Sequence, residues 1–474
     1  MLHRLRTTWF SNVRADVLAG ITTVLALIPD ALAFAFIAGV NPMISIYSTI
    51  SILVLISIFG GRPAMVSSTA GSMAVLMTAL VARHGVEYLF AATVLTGVIQ
   101  YAMGLFKMGR WMSFVPHSVI TGFINSLAIL IFLSQLRYFD GESWPMYAMV
   151  AGTLAVIYLL PKISTAIPSP LVAVAGMTLV ALAFGGGGFA TVGDIAKIVP
   201  TIPSLHFPSV PMTWETLWIL LPTSLSLAVV GYSETLLTQT IIDEMTEQKT
   251  SKDKEMKGQG IANAVTGFFG GMAGCALIAE SAINVKVGGR GRLSTLVAAL
   301  VLLVLVFALG DVLNAIPIAA LVGVMMMVCI EIFDWNYLRN IRRKPFAHTF
   351  IMAVTVAIVV TTHDLAIGVV VGVLLSVLLF AYRSATSLDV SVESNGAEKT
   401  YRVRGQLFFV SSDKLLDRID FDDAAPRVVL DLTASRVWDH TAKSTLDKIV
   451  SRLERKGKAV SVLGASEPAR TRSA

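Results

Sequence analysis

Three carboxylic acids stand in stretches otherwise built from apolar and small residues. They are Asp30 beside Pro29, Glu234 in Gly231-Tyr232-Ser233-Glu234-Thr235, and Glu280 in Ala279-Glu280-Ser281. An ionisable group inside a membrane span is costly and marks an ion or substrate path. Glu234 has Thr238 one helical turn further on the same face. A carboxylate with hydroxyl and carbonyl oxygens suits Na⁺, and a buried carboxylate can equally carry a proton. The competing reading of Glu234 is a solvated helix end, with Asp243 and Glu244 following closely. For Asp30 it is a hydrogen-bonded partner of the Pro29 kink.

Two short apolar runs, 70–82 and 278–288, offer a second kind of chemistry. Ser67, Ser68 and Thr69 lead into one, which opens on Ala70, Gly71 and Ser72, and Gly274, Cys275 and Ala276 lead into the other, with Ala279, Glu280 and Ser281 near its start. Both are shorter than the ~20 residues a helix needs to cross a bilayer. A helix that starts within the membrane exposes first-turn N–H groups and the positive end of its dipole. Two such starts facing each other form an anion pocket that needs no Lys or Arg. Glu280 there either caps its own helix or, protonated, donates a hydrogen bond and travels as a proton carrier. Small residues also simply allow close helix packing.

The elements positioning these groups follow from composition. The 474-residue chain is 55% hydrophobic and 14% charged, with a mean hydropathy of +0.73. About 25% charged residues is usual for a soluble protein. Residues 388–474 carry 15 Lys and Arg and 13 Asp and Glu, whereas the preceding 387 carry only 22 and 18. This describes a membrane domain over 1–387 and a cytoplasmic domain over 388–474. It excludes a nucleic-acid binder, a disulfide scaffold and an ordinary soluble enzyme; no catalytic triad or metal-ligand spacing stands out. Cys275 and Cys329 lie in apolar surroundings. The basic N-terminus runs into a first span and not into a cleavage site. His117 and His363 fit interfacial anchors.

Apolar stretches predict fourteen spans between residues 17 and 382. The loops expected inside collect basic residues, among them Arg4, Arg6, Arg62, Arg110, Lys254, Lys257 and Arg290. Those expected outside hold only Arg83, Arg137 and Lys197. That bias predicts both termini in the cytoplasm. The connection 186–213, with its glycine run Gly185 to Gly188 followed by Pro200, Pro203, Pro208 and Pro211, divides the spans seven and seven. Repeats are expected over about 15–185 and 214–383. Gly60-Gly61 and Gly270-Gly271 each stand ten residues before the short-span segments. Interrupted spans in corresponding positions point to a transporter's binding site. The tail predicts a small α/β module: strands at 401–404, 407–410, 428–432 and 459–463, helices at 413–419 and 441–455.

Together these features resemble the sulfate permease (SulP) family of inorganic anion transporters. The resemblance rests on Ala19-Gly20-Ile21 through Ala33, Gly60-Gly61-Arg62-Pro63, Lys254 through Asn263, and Asn284 through Arg290 with Leu293-Ser294. It implies core and gate domains related by seven-plus-seven inverted repeats, elevator-like motion, and anion binding between spans three and ten. It further implies a homodimer and a C-terminal STAS domain, whose phosphorylation-loop position falls at Asp439-His440-Thr441. The family often has Gln at the place of Asp30, and Arg or a neutral residue at that of Glu280. Antagonist STAS domains carry Ser where His440 stands.

The expectation is therefore a polytopic inner-membrane protein that is not an enzyme and has no cofactor beyond H⁺ or Na⁺ as coupling ion. It would import a small inorganic anion, sulfate or bicarbonate. Asp30, Thr69, Ala70, Gly71, Ser72, Ala279, Glu280 and Ser281 would line the substrate site. Glu234 and Thr238 would bind the coupling ion, with His440 and Thr441 as weak regulatory candidates. The rivals are a nucleobase–proton symporter of similar fold and an anion channel.

Overall fold

In the computed structural model the described residues are 8–108, 116–164, 168–184, 190–195, 197, 199, 204–362, 365–386 and 388–464. Arg4, Arg6, Arg110, Gly185 to Gly188, Pro200, Pro203 and His363 lie outside them. The chain divides into two compact units, Met1–Gly372 and Val373–Ala474.

In the first unit, α1 (Val13–Ala38) is capped by the Asn12 side chain and ended by Gly39 at φ 73°. That left-handed turn suits glycine. α2 (Pro42–Phe59) starts with Pro at its first position under the Asn41 cap. The strand β1 (Ser67–Thr69) leads into α3 (Gly71–His84), followed by α4 (Val86–Leu105), α5 (His117–Leu136), α6 (Trp144–Leu159) and α7 (Ser169–Ala183). Then come α8 (Trp214–Thr246), α9 (Lys252–Phe268), β2 (Gly274–Ala276), α10 (Ile278–Val287), α11 (Arg292–Asn314), α12 (Ile318–Ile332) and α13 (Phe346–Thr362). α14 (Leu365–Thr386) straddles the boundary between the units. Among the described residues, seven helices are long and apolar enough to cross a membrane.

Each predicted apolar stretch coincides with one of these helices, but two boundaries move in an informative way. α8 continues to Thr246, well past residue 237, where the eighth apolar stretch, 215–237, ends in the sequence. Glu234 is therefore interior to its helix and is not its solvated terminus. α9 begins at Lys252, ahead of its apolar run, because Ser251 accepts from the Lys254 N–H as its N-cap.

Packing separates two bundles. α1–α4 pack with α8–α11, and α5–α7 pack with α12 and α13. Between the bundles α1 meets α7 and α12, and α3 meets α5. Neighbours recur in companion pairs: α4 on α9 and α11 on α2; α1 on α11 and α8 on α4; α5 on α13 and α12 on α6; α1 on α10 and α8 on α3. α4 and α9 approach most intimately. A Cβ on Gly97 would lie 2.2 Å from the Ala264 nitrogen, and one on Gly260 would lie 2.4 Å from the Tyr101 nitrogen. Where lipid removes the hydrophobic drive between helices, such backbone proximity supplies the attraction.

The second unit holds β3 (Asp389–Ser394), β4 (Glu398–Leu407), α15 (Ser412–Arg418), β5 (Arg427–Val437), α16 (His440–Arg455) and β6 (Ala459–Leu463). The sheet order is β3-β4-β5-β6, with β3 antiparallel to β4 and the other pairings parallel. The expected strands at 401–404 and 407–410 form a single strand ending at Leu407. Ser411 stops it by accepting from the Phe408 N–H and donating to the Gln406 carbonyl. α16 lays Ala442, Leu446, Ile449 and Leu453 on the sheet. β4–α15–β5 and β5–α16–β6 thus make two parallel crossovers.

Two predictions follow from these contacts. Gly260→Ala is expected to lower stability by about 1–3 kcal/mol or more through overpacking. Gly176→Ala, where an added Cβ meets nothing within 4 Å, is expected to be near neutral. Thermal unfolding of the detergent-solubilised protein compares them. In the second unit, the Lys399 ammonium hydrogen-bonds Asp423 and holds its carboxyl below the ordinary range. A depressed carboxyl stabilises above its unfolded pKa and loses that stabilisation as pH falls. The unfolding transition of this unit should move to lower temperature below about pH 4, and less so in Asp423→Asn.

Candidate functional site

The site is built where two chain segments break their helices and pair with each other. β1 and β2 run antiparallel, with Ser67 opposite Ala276, Ser68 opposite Cys275 and Thr69 opposite Gly274. Gly274 permits this, since a Cβ there would lie 2.1 Å from the Ser68 carbonyl oxygen. The Leu277 N–H extends the pairing by donating to the Val66 carbonyl at 2.9 Å. Each strand then runs directly into a helix, α3 through Ala70 and α10 through Leu277, and neither start has a side-chain cap. First-turn amides of a helix have no intrahelical acceptor. Both short helices therefore present donors at this crossing.

Polar side chains from the surrounding helices hold the crossing in place. Asn263 of α9 accepts from the Gly274 N–H at 2.9 Å and donates to the Gly274 carbonyl at 3.0 Å. Gln259 donates to the same carbonyl at 2.9 Å. Thr49 of α2 bonds Ser68 at 2.9 Å, and Ser45 bonds Thr69 at 2.9 Å. The turn ahead of β1 is fixed by buried charge. Glu255 accepts from the Gly61 N–H at 2.6 Å and the Arg62 N–H at 2.7 Å. Arg62 pairs with Asp243 at 2.8 Å. Arg292 donates to the Ser57 carbonyl at 2.7 Å and the Gly60 carbonyl at 2.5 Å. On the other side, the Arg290 and Gly291 N–H groups reach Asp16 at 2.8 and 3.0 Å.

The half-buried Glu234 of α8 reaches into this crossing. Its Oε2 accepts from the Ser72 hydroxyl at 2.7 Å and the Cys275 thiol at 2.7 Å, so one carboxylate oxygen touches both short-helix segments. Thr238, one turn on, donates to the Ala276 carbonyl at 3.3 Å. Thr235 accepts from the Ala276 N–H at 3.3 Å. The carboxyls of Asp30 on α1 and Glu280 in the first turn of α10 meet side chain to side chain, and Glu331 of α12 acts on Asp30 through space.

The anticipated residues thus fall into different positions. Asp30, Ser72, Glu280, Glu234 and Thr238 gather at the crossing. Ala70 and Gly71 form the buried start of α3, where Gly71 leaves no space for a Cβ between Phe34 and Ile131. Ala279 is exposed in the first turn of α10. The hydroxyls of Thr69 and Ser281 are occupied by the scaffold, Thr69 by α2 and Ser281 by the Val66 N–H at 2.9 Å. His440 and Thr441 are exposed at the start of α16, whose N-cap is Asp439. Cys275 was expected only as backbone leading into the second short helix, not through its thiol, and Glu331 was not anticipated as a site residue. Cys275 reads as one more apolar position, and Glu331 as the polar end of its span. Among the described residues no cluster of His, Cys, Asp and Glu could hold a metal ion.

The sulfate permease family matches residues 13–144 and 139–355, and the STAS domain matches residues 389–472. The chain belongs to the sulfate permease family. It is a multi-pass membrane protein with a C-terminal STAS domain. It is 51% identical over 453 residues to the "Putative sulfate transporter YbaR" of Bacillus subtilis (strain 168), covering 96% of this chain and 95% of that one. The transmembrane domain of a cyanobacterium bicarbonate transporter, BicA, superposes with a TM-score of 0.69 at 26% identity. That match covers 76% of this chain and 98% of the BicA domain. The murine anion transporter Slc26a9 in the inward-facing state has the same fold, with a TM-score of 0.84 at 17% identity over 97% of this chain and 87% of that one.

Asn263 accepts from the Gly274 N–H and donates to the Gln100 side-chain oxygen at 2.7 Å, so Asn263→Leu takes this partner from two buried polar groups at about 1–3 kcal/mol each, while Gln259 still donates to the Gly274 carbonyl. The expected result is a lowered melting temperature, together with exposure of the buried Cys275 thiol to maleimide reagents. Maleimide labelling of the native membrane protein measures the second effect.

Proposed function

We propose that this family member is a secondary active transporter that imports a small inorganic anion, sulfate or bicarbonate, across the bacterial cell membrane. Two uncapped helix starts at the β1–β2 crossing carry this reading. They provide an anion with amide donors and about half a positive charge each. The names of the relatives agree with the substrate class: YbaR is named for sulfate and BicA for bicarbonate.

Glu234 is the proposed coupling site, with Thr238 beside it. Its oxygen bridges Ser72 and Cys275, so a proton or Na⁺ arriving there changes contacts to both short helices. H⁺ and Na⁺ both suit this oxygen chemistry. The companion helix pairs support a seven-plus-seven inverted repeat, because adding or subtracting seven from each helix number converts every pair into its companion. The two bundles support an elevator-like motion of one against the other. A homodimer with both termini in the cytoplasm completes the proposal.

Uptake of radiolabelled sulfate and bicarbonate into proteoliposomes, under imposed H⁺ and Na⁺ gradients, tests it. Saturable, gradient-dependent uptake of either anion is expected. Glu234→Gln should abolish the gradient response while anion binding to the purified protein survives. Unchanged coupling in that variant removes Glu234 from the role. Competition by uracil would instead favour a nucleobase symporter, and unsaturable current would favour a channel.

A further inference from the structure

The second unit includes the last turns of α14, and against them lies an apolar cavity of 480 Å³. Val377, Phe380 and Ala381 of α14 form one wall, and Phe408, Phe409 and Trp438 form the other. Ligand sites usually enclose ~300–1,000 Å³. The aromatic walls are open, with Phe380 69% exposed, Phe409 60% and Trp438 57%. Local rules of the chain build them. Ser411 ends β4 at Leu407 and turns Phe408 and Phe409 out of the sheet, and the Trp438 N–H donates to the Leu407 carbonyl at 3.0 Å. The Asp439 carboxylate at the rim accepts from the Phe409 and Ala442 N–H groups, each at 2.8 Å, and so ties this turn to the start of α16.

Position and charge say what fills the cavity. α14 is apolar from Ile367 to Arg383. Leu374, Val377, Leu378 and Phe380 are exposed along it, as on a span that faces lipid. Val377 stands about 9 Å before Arg383 along the helix axis. The cavity thus follows the lipid-facing surface of α14 to the boundary with water, where aromatic side chains concentrate. Interfacial groups enter that boundary by ~5–10 Å. Gln406 also lines the cavity and stands opposite Arg436 on β5, and the Arg436 guanidinium lies over the Trp438 ring, 4.6 Å from its centroid. Arg402 and Arg427 of the same sheet pair with Glu393, Asp431 and Glu398, whereas among the described residues Arg436 makes no ion pair. An occupant that is apolar along α14 and anionic at Arg436 is a phospholipid. A second copy of the chain fits less well, because an isologous contact sets a patch against itself and would gather like charges. We propose that this cavity holds an acyl chain of an anionic phospholipid, with its phosphate at Arg436, and thereby seats the STAS sheet on the bilayer surface. This goes beyond the transport reading and does not depend on which anion is carried.

Photolabelling of the full-length protein tests the assignment. The protein is placed in phosphatidylcholine nanodiscs with a trace of phosphatidylglycerol or phosphatidylcholine bearing a photoreactive acyl chain, and labelled peptides are mapped by mass spectrometry. Adducts on α14 near Leu374 and Leu378 report ordinary lipid contact and serve as the internal control. Phosphatidylglycerol is expected to label residues 406–409 and 437–439 as well. It should do so about fivefold more than phosphatidylcholine, the factor for one basic side chain at an anionic surface. Arg436→Gln should erase that preference while the control adducts persist, and Phe409→Asp should reduce labelling of the cavity by either lipid. Labelling confined to α14 would overturn the proposal, as would equal labelling of the cavity by the two lipids. Oxidative cross-linking of Phe409→Cys into a dimer would overturn it too, by assigning the cavity to a second copy. Should the variants not fold, the wild-type map decides alone.

Discussion

Backbone that leaves the helix inside a bilayer has no water to satisfy its N–H and C=O groups, so it must find partners within the protein. Here those partners are another broken segment. β1 and β2 satisfy each other across the Ser68–Cys275 register. Asn263 and Gln259 supply the bonds at Gly274 that the ladder leaves over. Around that short ladder, Thr49, Ser45 and Ser281 engage the flanking residues. The uncapped starts of α3 and α10 exist because the ladder ends where the helices begin. The donors of the site and the integrity of the fold thus arise from the same backbone pairing.

Charge is arranged around this pairing in two layers with different purposes. Arg62, Asp243, Glu255 and Arg292 are bound to each other or to helix ends and anchor the turn leading into β1. Removing one member of such a buried set strands the others at high cost. Among the described residues Asp30, Glu234 and Glu280 have no basic partner, and they turn toward the crossing. The contrast separates scaffold charge from the charge of the candidate site more sharply than burial does, since both layers are largely buried.

Much of this was legible in the chain. The apolar stretches located the helices, and the paired interruptions near Ser72 and Glu280 located the two short helices that start at the β1–β2 crossing, because helix length against bilayer thickness is a one-dimensional constraint. The meeting of Asp30 with Glu280 and the bridging of Ser72 and Cys275 by Glu234 join residues far apart in sequence, and no local pattern specifies such contacts. The length of α8 was underestimated because its last turns are polar, and hydropathy follows membrane exposure more closely than helicity. In the tail, Leu407–Val410 alternates like a strand, yet the Ser411 hydroxyl ends the ladder at Leu407. Thr69 and Ser281 have the right chemistry for a ligand, but their hydroxyls are committed to the scaffold.

The ladder also has a consequence for biogenesis. Its strands are separated by about two hundred residues, so a nascent chain that has delivered its first seven helices holds Ser67–Thr69 with no partner strand. α4 is in the same position, with Gly97 waiting for the Gly260 face of α9. The first half therefore enters the bilayer incomplete, and its unpaired backbone must be tolerated by the insertion machinery or by water until the second half arrives. Native structure in the membrane unit then forms late and cooperatively, when both halves are in place, and not one repeat at a time.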